Sequence, residues 1–320
     1  MDKVIIHIGY HKSASTFFQK EVFAQLPVNY LFFEGSNRKY LHMVESEKEL
    51  NPGAIYSWID SELAEKYPGK RKDTTVLSHE ELSGHPHGYK KISSFTIANN
   101  LRTLFPAARI LIVVRNQFDY IASIYAFRIA VKGYESRSLD RFISEEGAKG
   151  LFEHLEYHRL VEHYQQLFGR EQVCVLPMEL LSRSPDDLFS KLFVFMQLPY
   201  QKLEIPRAIN VSTKNVLILS FWRPINYLFE RLLHLLIFLL GIGNQKSPLR
   251  KLRYWFYNSK SKITMRLDKV LLNTRKIDIK AYSQYAMLVE RFGKSNNILE
   301  QLIGYDLAAL GYPIIRDETK

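Results

Sequence analysis

One stretch near the N-terminus narrows the possible folds more than any other. Val4-Ile5-Ile6-His7-Ile8 is a short β-branched run closed by Gly9, the pattern of a central parallel strand. Tyr10-His11-Lys12-Ser13-Ala14-Ser15-Thr16 follows as a tight, hydroxyl-rich turn. From Thr16 the apolar residues Phe17, Phe18, Val22, Phe23 and Leu26 recur with helical spacing until Pro27 stops them. Strand, turn and helix in this order make a phosphate cradle, because a helix N-terminus offers unpaired N–H groups and a positive dipole end to an oxyanion. Lys12 adds a full charge there, and Ser13, Ser15 and Thr16 add hydroxyl donors. The triphosphate loop G-x-x-x-x-G-K-[ST] is absent: the lysine comes three residues after Gly9, and the hydroxyls follow without a second glycine. A Mg-ATP site is therefore not the first expectation. Taken alone, the stretch reads equally as a strand-turn-helix with a surface lysine and a hydroxyl cap.

The rest of the chain supplies more strand ends of the same kind. Tyr30 to Phe33 is a short strand candidate, and Ala54 to Tyr67 a helix. Thr74 to Ser78 reads as a second parallel strand running into His79-Glu80-Glu81-Leu82-Ser83-Gly84, where open α/β sheets place their chemistry. Glu80 and Glu81 are equally explained as acids favouring the start of the next segment. Ile92 to Phe105 is an amphipathic helix, and Arg109 to Val114 is the most strand-like run in the chain. It ends at Arg115-Asn116-Gln117 and passes into a helix carrying Ser123. An acid at such a strand end holds Mg²⁺ in a triphosphatase; an arginine there clamps an anion instead. Asp140 to Phe168 reads as helices around a polar loop. Gln172 to Leu176 is a further strand, and Ser184-Pro185-Asp186-Asp187 caps a helix over Leu188 to Met196. The repeating strand-helix order predicts a three-layer α/β/α fold with a central parallel sheet, P-loop-like, and a helical C-terminal part.

With 320 residues, 46% of them hydrophobic, the chain has enough apolar material for one large domain. The expectation is a single domain over 1–320, with 213–280 a helical, basic and partly apolar insertion. The start lacks a basic segment followed by a long apolar run, so no cleavable signal or N-terminal anchor is expected. The single cysteine, Cys174, excludes an internal disulfide and favours a reducing, cytoplasmic setting. The formal charge of +11 is concentrated: Gln245 to Lys280 holds eleven Lys and Arg against Asp268 and Asp278. Such a field calls for an anionic partner. Leu232 to Leu240 is too short, and interrupted by Glu230, Arg231 and His234, to span a bilayer. It reads as a core or partner-facing helix, or, with the basic segment and Tyr254-Trp255-Phe256-Tyr257 behind it, as a peripheral membrane contact over 227–280 at the inner face. His and Cys spacing offers no zinc site.

Two separated motifs together resemble the sulfotransferase family, which transfers a sulfuryl group from 3′-phosphoadenosine 5′-phosphosulfate (PAPS). Lys12-Ser13-Ala14-Ser15-Thr16 is similar to the family's 5′-phosphosulfate loop, with Ala14 in place of the commoner glycine. Arg115 with Ser123 eight residues on is similar to its 3′-phosphate site. Leu77-Ser78-His79-Glu80 resembles the strand end carrying the catalytic base, and Val175 to Leu180 resembles the next strand and its acidic helix start. Gln197 departs from the glycine usual before Leu-Pro.

The resemblance implies that Lys12 meets the departing phosphate oxygen, that Ser13 to Thr16 hold the 5′ end, and that Arg115 and Ser123 hold the 3′-phosphate of PAPS and of its product PAP. It implies a base at Glu80 or His79, with Glu80 favoured by motif position, and acceptor contacts from His11, Glu81, Tyr125, Arg128 and Tyr157. Asn210, Ser212 and Lys214 are either a loop over the nucleotide or the cap of a helix from Asn215. The expected acceptor is a carbohydrate, glycolipid or cell-surface polysaccharide hydroxyl, with no metal and no nucleic acid. The rivals are a P-loop kinase, which would need Mg²⁺ and ATP, and a non-catalytic polyanion- or membrane-binding protein.

Overall fold

Five apolar runs become strands, and all five pair in parallel. In the computed structural model of the protein, which describes residues 3–33, 37–85, 93–132, 135–205, 216–240, 249–270 and 277–316, they are β1 (Lys3–Gly9), β2 (Asn29–Phe32), β3 (Thr74–His79), β4 (Arg109–Val114) and β5 (Val173–Pro177). Their order across the sheet is β2-β3-β1-β4-β5. Register sets Ile8 beside His79 and beside Ile112, and Val114 beside Pro177. The strands therefore finish level with one another, and the segments that follow them emerge along one edge. Residues of both strand faces are buried in β1, β3 and β4, as expected of parallel strands covered by helices on each side.

The helices are α1 (Ser15–Phe17), α2 (Arg38–Glu45), α3 (Pro52–Lys66), α4 (Ser94–Leu104), α5 (Gln117–Phe127), α6 (Leu139–Gly147), α7 (Leu151–Leu155), α8 (Tyr157–Phe168), α9 (Leu180–Arg183), α10 (Pro185–Met196), α11 (Val216–Leu240), α12 (Leu249–Val270) and α13 (Tyr285–Ile303). Pro52 opens α3 behind Asn51, whose side chain accepts the Ala54 amide, and Pro185 opens α10. Gln197 ends α10 at φ +57°, the left-handed cap that glycine usually supplies.

The first helix departs from the expected regular one. After three α residues the path widens to a π turn over Phe18–Val22 and tightens to a 3₁₀ turn over Phe23–Gln25. The buried pairs Phe17/Val22 and Phe18/Phe23 are each five residues apart, a separation that a π turn brings onto one face.

The chain divides into two compact units: Met1–Gln117 with Gly147–Ile209 and Ala286–Lys320, and Phe118–Glu146 with Asn210–Tyr285. The first holds the sheet. In the second, the anticipated helical segment is joined by residues 118–146. There Lys260 is buried and donates to the Ile129 carbonyl and to Asn226 Oδ1, the latter at 2.6 Å. Among the described residues no helix is long and apolar enough to cross a membrane.

Candidate active site

The turn after β1 is built on close approach and an unusual backbone. A Cβ on Gly9 would lie 2.0 Å from Ser15 Oγ, so only glycine lets the first helical turn fold back against the strand end. Ser15 Oγ donates to the Tyr10 carbonyl at 3.4 Å, and the Ser13 amide donates to the same oxygen at 3.0 Å. Lys12 and Ala14 both take left-handed φ values, +63° and +60°. Such values cost a non-glycine residue about 1–2 kcal/mol and persist where the surroundings enforce them. Ser13 is buried, and its hydroxyl has no hydrogen-bond partner among the described residues. His11 and Lys12 are half-buried, and Thr16 is exposed.

Arg115 follows β4 and is joined to this turn. Its Nη1 donates to the Lys12 carbonyl at 2.7 Å, while its buried Nε finds no hydrogen-bond partner among the described residues. Two braces, one from buried Tyr157 and one from half-buried Glu179, hold the backbone at Arg115 and Asn116. Tyr157 donates its hydroxyl to the Arg115 carbonyl at 2.8 Å, and its ring packs edge-on against Tyr10. Glu179, after β5, accepts the Asn116 amide at 2.8 Å and the Tyr312 hydroxyl at 2.8 Å. Burial pushes the Glu179 carboxyl above its ordinary value against the pull of those two hydrogen bonds and of Arg115. Gln117 is tied to Asn296, 2.7 Å away.

The end of β3 separates the three ionisable residues that follow it. The strand stops at His79, and Glu80 to Ser83 form a 3₁₀ turn, so strict strand alternation does not extend to Glu80 and Glu81. His79 is buried, and its Nδ1 accepts the Glu81 amide at 3.1 Å. Glu80 is half-buried. Glu81 pairs with Arg38 and lies 3.4 Å from His85 Nε2. Burial alone would raise its carboxyl; hydrogen bonding and charge from His85, with Arg38 and His79, outweigh that and hold it well below the usual carboxylate range. Glu45, His85 and Glu81 each bring a ligand atom within 4.8 Å of the others, a donor set that suits a divalent cation or closes as an ion pair around a protonated His85. Behind the strand end, Ser78 joins His7 Nδ1 (2.8 Å) and Gln19 Nε2 (3.0 Å). Burial pushes the His7 imidazole down to about 3.

Three residues expected at the acceptor make contacts within the fold. Arg128 is fully buried and donates to Glu146 at 2.8 Å, with Glu135 3.7 Å away. Tyr125 is buried and donates to the Arg137 carbonyl. Tyr157 braces Arg115, as described. Ser123 lies on α5 in the second unit, 1% exposed. Asn210, Ser212 and Lys214 lie outside the described residues. The sequence reading had not marked the roles of Asn116, Gln117, Asn296 and Tyr312, or the Arg38–Glu45–His85 surroundings of Glu81. Apart from His85, four residues from Glu81, their partners are distant in the chain, so no local pattern points to them.

Comparison with known proteins adds the family. No curated protein matches the chain. A sulfotransferase from Alicyclobacillus acidocaldarius is 16% identical, covering 70% of this chain and 92% of its own, with a TM-score of 0.47. A sulfotransferase domain from the curacin biosynthetic pathway is 16% identical over 63% of this chain and 76% of its own, TM-score 0.37. A mouse sulfotransferase complexed with PAP is 12% identical over 63% of this chain and 61% of its own, TM-score 0.40. The model of the sulfotransferase family matches residues 7–202, from within β1 to beyond α10. That match spans more than half of the sequence and takes in all three strand ends described above, and on it the chain belongs to the sulfotransferase family.

Proposed function

We propose that this sulfotransferase moves the sulfuryl group of PAPS to a hydroxyl of a carbohydrate, glycolipid or surface polysaccharide. One observation carries the donor assignment: the 2.7 Å bond from Arg115 Nη1 to the Lys12 carbonyl, which joins two cationic strand ends. A donor bearing phosphate groups at both its 3′ and 5′ positions suits that pair. The buried Ser13 hydroxyl and Arg115 Nε, which lack partners among the described residues, are donors that such oxyanions would satisfy.

In the transfer, the acceptor oxygen bonds to sulfur as the bond from sulfur to the bridging phosphate oxygen breaks. Lys12 meets the charge growing on that departing oxygen. Ser13, Ala14, Ser15 and Thr16 hold the 5′ phosphate through amides and hydroxyls, and Arg115 holds the 3′-phosphate. Glu80 takes the acceptor proton. It is favoured over His79 by its position in the motif, and His79 is buried with Nδ1 accepting a backbone amide. His11 stands on the acceptor side. The basic excess of 245–280 supports an acceptor carried on an anionic surface.

The test is turnover of PAPS with a panel of glycans and glycolipids. Lys12→Ala is expected to lower kcat by about a thousandfold, and Glu80→Gln by about a hundredfold or more. Full activity in Glu80→Gln with loss in His79→Gln would move the base to His79. Phosphoryl transfer from ATP would replace the reading with a kinase.

A further inference from the structure

Helix α11 carries two apolar faces about a third of the way round from each other, and only one of them is packed. Trp222, Asn226 and Leu233 are buried, and Phe229 stacks on Phe256 of α12 with ring centroids 3.9 Å apart. Arg253 and Tyr257 of α12 both bond Glu230, which fixes the two helices as a pair. Elsewhere on the helix Leu228, Leu232, Leu235 and Leu239 are exposed at successive helical turns, with Phe221 exposed two turns before them. Beside them Phe238 is 81% exposed, and on α12 Trp255 is 65% exposed. A continuous stripe of this kind is unusual on a surface facing only water.

We propose that the exposed face of α11 and α12 docks on an anionic membrane surface, lying in the headgroup region without crossing it. Charge selects this occupant. Lys251, Lys262 and Arg266 are exposed on α12, within the segment holding eleven basic residues against two acids. A second copy of the same face would set that excess against itself, whereas an anionic bilayer meets it with opposite charge. A soluble polyanion would satisfy the lysines and leave the leucine stripe in water. Leucines, exposed aromatics and peripheral basic residues together match an interfacial helix pair. The surface does not depend on the donor assignment, so the two fail separately.

The experiment is flotation of the full-length protein with phosphatidylcholine vesicles, with and without phosphatidylglycerol, at low and high salt. Binding is expected only with phosphatidylglycerol and is expected to weaken as salt rises. Leu228→Glu/Leu232→Glu/Leu235→Glu should weaken it by about a hundredfold or more. Lys251→Gln/Lys262→Gln/Arg266→Gln should weaken it by about a hundredfold at low salt. All six positions are exposed, and far-UV circular dichroism checks that both variants fold. Absence of binding to anionic vesicles at low salt overturns the proposal. So does binding that the leucine variant leaves unchanged, or a sedimenting dimer that this variant splits in a protein that ignores lipid.

Discussion

The strand ends of β1 and β4 and the outer face of α11 and α12 both carry positive charge, yet they are built in opposite ways. At the strand ends each cationic group is braced: Lys12 sits in a left-handed turn, and Arg115 is bonded to Lys12 and held by Tyr157. On the helices Lys251 and Lys262 of α12 and the leucine stripe of α11 stand exposed, without such braces. The difference teaches where precision is needed. In-line transfer between two reactants needs groups fixed to a fraction of an ångström before the reaction begins. Attraction to a charged surface needs only density of charge and exposed apolar area.

The largest test of this contrast is removal of a braced cation. Arg115→Ala should raise the KM for PAPS by about a hundredfold to a thousandfold, because a charge-assisted contact to phosphate is lost from a partly buried site. A change below about threefold, as expected for an exposed lysine on α12, would erase the distinction. Tyr157→Phe removes only the brace. It should raise the same KM by about fivefold to tenfold with kcat nearly unchanged, and cost about 1 kcal/mol in urea unfolding. A stability loss with no change in KM would make Tyr157 structural alone.

The buried polar layer under the strand ends gives a pH-dependent test. His7 is neutral in the fold, its value pushed down to about 3, and returns to its ordinary 6.5 on unfolding. Between those values the unfolded chain binds a proton that the native protein does not, so stability falls as pH falls. The slope from this residue is about 1.4 kcal/mol per pH unit below pH 6. His7→Asn should flatten the urea-unfolding profile between pH 4 and 6 by about that much; an unchanged slope would mean that His7 takes up its proton within the fold. Ala14→Gly has the smallest expected effect. Relief of the left-handed strain is partly offset by the added freedom of the unfolded chain, leaving about 0.5 kcal/mol of stabilisation in thermal unfolding. A loss of more than about 1 kcal/mol would show that the Ala14 methyl group packs productively.

The strands, and the order of chemistry along them, were legible because β-branched runs closed by turn residues are a local signal. Arg109 to Val114 matched to the residue, and Arg115 was marked from its place at the end of that strand. The turn after β1 was legible in residue type but not in shape: nothing in a Lys-Ser-Ala-Ser run announces two left-handed residues or a π turn behind them. Roles set by distant partners were not legible. Arg128 looked like an available cation because the acids that enclose it, Glu135 and Glu146, declare themselves only when the chain folds. Glu179 met Tyr312 across 133 residues. The basic helix pair showed the reverse: its charge was plain in the sequence, while the division of α11 into one packed and one exposed apolar face required exposure to be known.

Titration calorimetry of the protein with PAP and, separately, with ATP tests the central claim most directly. Two joined anion grips, one braced at Lys12 and one at Arg115, should bind PAP at least about a hundredfold more tightly than ATP, with the preference lost in Arg115→Ala. Equal or tighter binding of ATP, or PAP binding indifferent to Arg115, would contradict it.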